Sequence, residues 1–164
     1  MRSWGALELG AAIAVGGSVL AVAIPSFVRN LSFSRLSEAV DGLDRLVSGA
    51  VAYSQGRPQE LSFPPPAPLT PAQVPAGKPA MDPPGAWDHL TWRALRFGFD
   101  RPHCFAFEFA SALDPESGAM RFVAAAHGDL DGDGTPSTFE VRGERAAGER
   151  ARVVPGMYVD REVE

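Results

Sequence analysis

Asp129, Asp131 and Asp133 stand at alternate positions in the stretch DLDGDGTPSTFE, residues 129 to 140, followed by Gly134 and, at the twelfth position, Glu140. Three carboxylates so spaced repel one another unless a hard cation gathers them. Oxygen donors at positions one, three, five and twelve, with glycine at six for the sharp turn, match the pattern of a calcium loop. The carbonyl of Thr135 and the hydroxyl of Ser137 are expected to complete the shell, so the expected metal ligands are Asp129, Asp131, Asp133, Thr135, Ser137 and Glu140, and the expected ion is Ca2+. The flanking segments read as strands rather than helices, which leaves open a shorter turn that uses the aspartates alone while Glu140 points outward beside Thr138 and Arg142. A solvated acidic turn is the plainer alternative, because Asp and Gly are also good turn formers.

A second carboxylate stands in a very different setting. Glu8 is followed by twenty residues, Leu9 to Val28, without a formal charge before Arg29. At roughly 1.5 Å per residue such a stretch makes a helix of about 30 Å, the thickness of a bilayer's hydrocarbon core. If the helix begins near Trp4, Glu8 lies one turn inside the membrane, where a charge is costly. A signal peptide would have a shorter apolar core and a small-residue cleavage site behind it, whereas here the run continues into more helix. From Leu36 the apolar residues fall at Ala39, Val40, Leu43, Val47 and Ala50, one helical face. The spacing predicts one continuous helix from about Trp4 to about Tyr53, bent at Pro25 and stopped by Gly56-Arg57-Pro58.

The remaining chain must build whatever holds the acidic loop. Ten prolines lie between Pro58 and Pro84, a density that excludes helix and central strand. Leu61, Phe63, Leu69, Val74 and Met81 give this segment apolar anchors, so it is expected to form an extended strap over a globular head; a site for proline-binding modules is the lesser alternative. Period-two alternation then predicts strands at Leu95–Phe99, Cys104–Phe109, Met120–Ala126 and Thr138–Arg142, an antiparallel meander with one apolar face. Trp87 and Trp92 are expected as aromatic plugs at the edge of a small core.

The first third of the chain resembles the type IV pilins and the pseudopilins of type II secretion. The resemblance rests on a short basic leader, Glu8, the apolar helix and the element Ile24-Pro25-Ser26-Phe27, with nineteen positions from Glu8 to Phe27, the family's interval. It implies cleavage by a prepilin peptidase between Ser3 and Trp4 and N-methylation of the new amino terminus. Ser3 replaces the glycine usual before the cut, Trp4 the usual phenylalanine, and Gly5 stands where threonine or serine is more usual. The resemblance also implies a role for Glu8: neutralising the amino terminus of a neighbouring subunit as it docks, so that the cost of a buried carboxylate becomes a force for ordered assembly. The alternative is that Glu8 merely favours the helix N-terminal dipole at headgroup level.

Composition sets limits. The chain has 164 residues and is 45% hydrophobic, with 15 Lys and Arg against 20 Asp and Glu, and its basic residues are scattered, so no nucleic-acid partner is expected. One cysteine, Cys104, excludes an intrachain disulfide. His89, His103 and His127 have no zinc spacing, and no G-x-S-x-G, phosphate loop or C-x-x-C occurs, so no catalytic site is expected.

The expected fold is α+β and pilin-like: a long N-terminal helix, membrane-spanning in its first half, packed on an antiparallel β-sheet of about four strands. The expected divisions are a leader at 1–3, the helix at 4–54, the proline-rich strap at 55–86, the sheet head at 87–143 and a C-terminal segment at 144–164. The expected function is that of a pilin, minor pilin or pseudopilin, single-pass in the inner membrane before assembly and part of a periplasmic or extracellular filament after it. Its partners would be other such subunits. The alternative is a single-span membrane protein that displays a calcium-stabilised binding head and never polymerises.

Overall fold

The computed structural model describes residues 36–161, which fall within one compact unit, Arg35–Glu164. Residues 36–54 are helical (α1), and most of the apolar spacing read from Leu36 onward is the face they bury: Ala39, Leu43, Val47 and Ala50 are in the core, joined by Leu46, whereas Val40 is exposed. Two glycines bring this face close to its neighbours. A Cβ on Gly42 would overlap the Phe107 ring, and one on Gly49 would lie 2.6 Å from the Leu95 carbonyl oxygen. Beyond the helix the backbone turns at Gly56, with φ of 70°. The guanidinium of Arg145 donates to the carbonyls of Ser54 and Arg57 at 2.9 and 3.0 Å, satisfying acceptors that a helix end leaves open.

Five strands form one antiparallel sheet in chain order: β1 (Ala67–Thr70), β2 (Phe105–Leu113), β3 (Met120–Gly128), β4 (Ser137–Arg145) and β5 (Arg152–Asp160). Phe105, Phe107 and Phe109 of β2, Met120, Phe122, Ala124 and Ala126 of β3, and Phe139 and Val141 of β4 belong to the same buried cluster as α1. The outer face carries exposed ion pairs such as Arg142 with Glu140 and Arg152 with Glu144. Each buried phenylalanine contributes about 1.5–3 kcal/mol, against about 0–1 kcal/mol for an exposed ion pair. The helix-facing aromatics, not the charge lattice, therefore hold the sheet.

The expected pilin-like α+β architecture, with a membrane-spanning helix on about four strands, is corrected here. The described chain is mostly a five-stranded sheet, its one helix of seven or more residues is α1, and no helix among the described residues is long and apolar enough to cross a membrane. Within α1, Glu38, Asp41, Asp44 and Arg45 supply a charged face. The rest of the expected helix, 4–35, lies outside the described residues.

Two strands lie where none was expected. Within the proline-rich segment β1 pairs with β2, Ala67 opposite Phe109 and Thr70 opposite Phe107. An edge strand bonds on one side only, so Pro68 is tolerated there. Within the C-terminal segment β5 pairs with β4, but the register passes from Val141↔Met157 to Gly143↔Val153, leaving Val154, Pro155 and Gly156 bulged at the sheet edge. A bulge carrying proline discourages further strand pairing. Conversely, Leu95–Phe99 is not a strand: a short helix, α2 (Leu90–Leu95), ends there because Arg96 adopts the left-handed conformation with φ of 53°. Trp92 of α2 is fully buried, donates to the Thr70 hydroxyl at 3.0 Å, and meets Trp87 edge-on at 5.5 Å. The proline-rich segment is tied to the head by Pro64 and Pro65 carbonyls that accept from the Ser111 and Thr91 hydroxyls at 2.6 and 2.7 Å.

Candidate metal centre

The β3–β4 connection begins after Gly128, which pairs with Ser137 across the ladder. Asp129, the first residue of the turn, is buried, and its carboxylate organises the loop from within. Oδ1 accepts the N–H groups of Gly132 and Asp133 at 2.7 and 3.1 Å, and Oδ2 accepts that of Gly134 at 3.0 Å. Asp131 Oδ1 accepts the Asp133 N–H at 3.1 Å, and Asp133 Oδ1 accepts the Thr135 N–H at 2.6 Å. Gly132 and Gly134 have φ of 82° and 89°, conformations that turn successive N–H groups inward and favour glycine. The Asp129 carbonyl in turn accepts the Gly77 N–H at 2.7 Å, fixing the proline-rich segment beside the loop.

Asp129, Asp131 and Asp133 each bring one carboxylate oxygen within 4.8 Å of the others. At that separation two like charges repel by about 1 kcal/mol in a water-like medium, and the inward N–H groups offset part of it. All-oxygen, anionic donors of this kind suit a hard divalent cation. Two of the other expected ligands, Glu140 and Ser137, have side-chain partners of their own. Glu140 lies on β4 opposite Ala125 and Tyr158, and its Oε2 accepts from Arg142 at 3.0 Å. The buried Ser137 hydroxyl donates to the Gly128 carbonyl at 2.9 Å. Thr135 lends its N–H to Asp133, a bond that leaves the carbonyl expected as a donor unused. Among the six expected ligands, the three aspartates are the carboxylates that the loop brings together. The expected assembly and processing residues, Ser3, Trp4, Glu8 and Pro25, lie outside the described residues.

A buried polar chain escaped the sequence reading. His103, almost fully buried, places Nδ1 at 2.7 Å from the Phe105 carbonyl and Nε2 at 2.7 Å from Asp82 Oδ2, which also accepts the Trp87 indole N–H at 2.7 Å. Phe99 stacks on the imidazole at 4.5 Å. Both imidazole nitrogens and the indole N–H of this chain have partners, so it fastens the proline-rich segment to the head. Separation in sequence hid it: Asp82 and His103 are 21 residues apart.

No family model matches the chain, and comparison with curated proteins and with solved structures also finds no match.

Proposed function

We propose that this chain is a subunit, as pilin, minor pilin or pseudopilin, of a type IV pilus or type II secretion-like filament. The observation that carries the reading is Glu8 at the front of a charge-free stretch, with Pro25 and Phe27 following at an interval of nineteen positions from Glu8 to Phe27. A membrane anchor alone has no use for a carboxylate one turn inside the lipid. A subunit that must find its neighbour does, because pairing with the neighbour's amino terminus relieves the buried charge. Before assembly the chain sits in the inner membrane as a single-pass protein with its head outside the cytoplasm. Prepilin peptidase cuts between Ser3 and Trp4, and assembly then carries the chain into the filament.

Mass spectrometry of the native amino terminus tests this. The reading requires a chain beginning at N-methylated Trp4; an intact Met1, or cleavage after the apolar run, would overturn it.

The aspartate cluster favours a second component of the reading, a head whose β3–β4 turn holds calcium through Asp129, Asp131 and Asp133. This component suits a filament subunit outside the cytoplasm and equally the alternative of a single-span, non-polymerising binding head. Glu8 separates the two, because only the filament subunit needs it.

A further inference from the structure

Backbone and side chain together fasten the proline-rich segment to the head at one register. Ala80 and His103 exchange two backbone hydrogen bonds, at 2.9 and 3.0 Å. Two residues further along the segment, Asp82 Oδ2 lies 2.7 Å from His103 Nε2. The imidazole is 1% exposed and the Asp82 side chain 6%, so solvent has little access to the contact. Phe99 stacks on the ring at 4.5 Å, and the Trp87 ring lies 6.0 Å away.

The hydrogen-bond partners of this contact fix the number of protons it needs. Nδ1 faces the Phe105 carbonyl at 2.7 Å, an oxygen that can only accept. Nε2 faces a carboxylate oxygen that already accepts the Trp87 indole N–H at 2.7 Å. A neutral imidazole carries one N–H and one bare nitrogen. Whichever nitrogen is bare, its lone pair then points at an oxygen lone pair, where little water can relieve the mismatch. Both contacts are satisfied only when the pair holds two protons, one on Nδ1 and one between Nε2 and Oδ2. Written as ions, that is an imidazolium against a carboxylate. Other charges face the pair across backbone or packed rings. Glu38 of α1 accepts the Cys104 and Phe105 N–H groups at 2.7 and 3.2 Å, and Arg45 of α1 lies over the Phe97 and Phe99 rings at 5.0 and 5.3 Å. Their opposite charges offset each other in part. Asp100 and Arg101, just before His103, are exposed and likewise of opposite sign.

We propose that His103 and Asp82 form a proton-operated clasp. With two protons on the pair, residues 77–87 are closed on the head; loss of one proton to solvent as pH rises opens them. The ring becomes neutral, one of its nitrogens is left against an oxygen with no hydrogen between them, and the ionic attraction to Asp82 is lost. Opening reaches the β3–β4 turn as well, because the Gly77 N–H that donates to the Asp129 carbonyl at 2.7 Å belongs to the same stretch.

The test uses the full chain, labelled with 15N, in detergent micelles. At neutral pH both ring nitrogens of His103 should be protonated. As pH is raised, loss of that second ring proton should coincide with a shift of the Trp87 indole N–H resonance. It should also coincide with a severalfold loss of exchange protection at the Gly77 and Ala80 amides, after correction for base-catalysed exchange, while the amides of β3 stay protected. Asp82→Asn separates a proton-operated clasp from a fixed tie. Its amide can donate to a bare Nε2 while its oxygen accepts from Trp87, so a neutral ring is satisfied. That variant should carry a proton on Nδ1 alone at neutral pH and keep Gly77 and Ala80 protected where the wild type loses them. A single protonated ring nitrogen in the wild type at neutral pH would overturn the clasp. So would protection at Gly77 and Ala80 that outlasts the ring proton, or its loss from Asp82→Asn at the same pH as from the wild type. Should the variant fail to fold, the wild-type titration alone decides.

Discussion

Glu38 Oε1 accepts the backbone N–H of Cys104 at 2.7 Å and that of Phe105 at 3.2 Å, so one carboxylate on the first described turns of α1 caps the start of β2. The two partners are 66 residues apart in sequence. The bond fixes the level at which the helix meets the phenylalanines of β2, because Phe105 is the first of the three that α1 covers.

Removing that carboxylate takes an ionised acceptor away from two N–H groups in a nearly dry setting. Hydrogen bonds to charged groups are worth about 1.5–3 kcal/mol. Glu38→Ala is expected to destabilise the unit Arg35–Glu164 by about 2–3 kcal/mol, and Glu38→Gln, which keeps an oxygen acceptor, by about 1 kcal/mol. Urea unfolding measures both; a loss below about 0.5 kcal/mol for the alanine variant, the range of an ordinary surface change, would contradict the capping role.

Gly42→Ala sets two effects against each other. Alanine gains about 1 kcal/mol of helix propensity over glycine, but its Cβ would run into the fully buried Phe107 ring, and overpacking of a fixed core costs about 1–3 kcal/mol. Overpacking is expected to win, giving a lower melting temperature. A stabilised variant would show that the helix can lift from the sheet at little cost.

Asp114 opens the β2–β3 turn, and its pKa is held below the ordinary carboxylate value. The largest cause is the Ser117 hydroxyl donating to Oδ2 at 2.5 Å, followed by the Glu116 N–H, with partial desolvation opposing and Arg121, 2.7 Å away, adding to the lowering. A depressed carboxylate pKa adds stability above its unfolded value of about 3.9, and that stability is lost as pH falls through the folded value. Ser117→Ala should move the NMR titration of Asp114 upward and make the turn less resistant to acid. An unchanged titration would remove the hydroxyl as the main cause.

How much of this was legible before folding depends on the range of the interaction. Alternation placed β2, β3 and β4 correctly, because Phe105, Phe107 and Phe109 or Phe139 and Val141 must share a face whatever lies opposite. The same rule misread Leu95–Phe99, whose aromatic alternation is overridden by the left-handed Arg96 and by α2 before it. It missed β5, where Pro155 and Gly156 break the pattern and both faces are largely exposed, and β1, whose one proline, Pro68, is admissible only at an edge that the sequence does not declare. Within the site, the three aspartates were legible because a turn is local. Glu140 belongs to the strand's outward set, so its twelfth-position match carried less weight than its alternation. Glu38 and Arg145 act across 66 and 91 residues and leave no local trace.

The loop separates two roles among like residues. Asp129 accepts three backbone N–H bonds and is buried, so Asp129→Ala should destabilise the head with or without metal. Asp131→Ala should leave the metal-free head nearly unchanged and abolish most of the rise in melting temperature that calcium produces through binding the folded state alone. Glu140→Ala should keep that rise, because its side chain is engaged with Arg142. Identical melting of the wild-type head in millimolar calcium and in chelator would remove calcium from the account.

Whether Glu8 serves assembly decides the account as a whole. The most direct measurement compares recovery of the wild-type chain and Glu8→Ala in sheared filaments, with the membrane-inserted pool of each quantified in the same cells. Removing the carboxylate lowers the cost of insertion while leaving a neighbour's amino terminus unpaired. The account therefore predicts that Glu8→Ala is present in the membrane at wild-type level or above, and strongly depleted from the filament fraction. Equal recovery of the two proteins in sheared filaments, or absence of the wild-type chain from any filament, would contradict it.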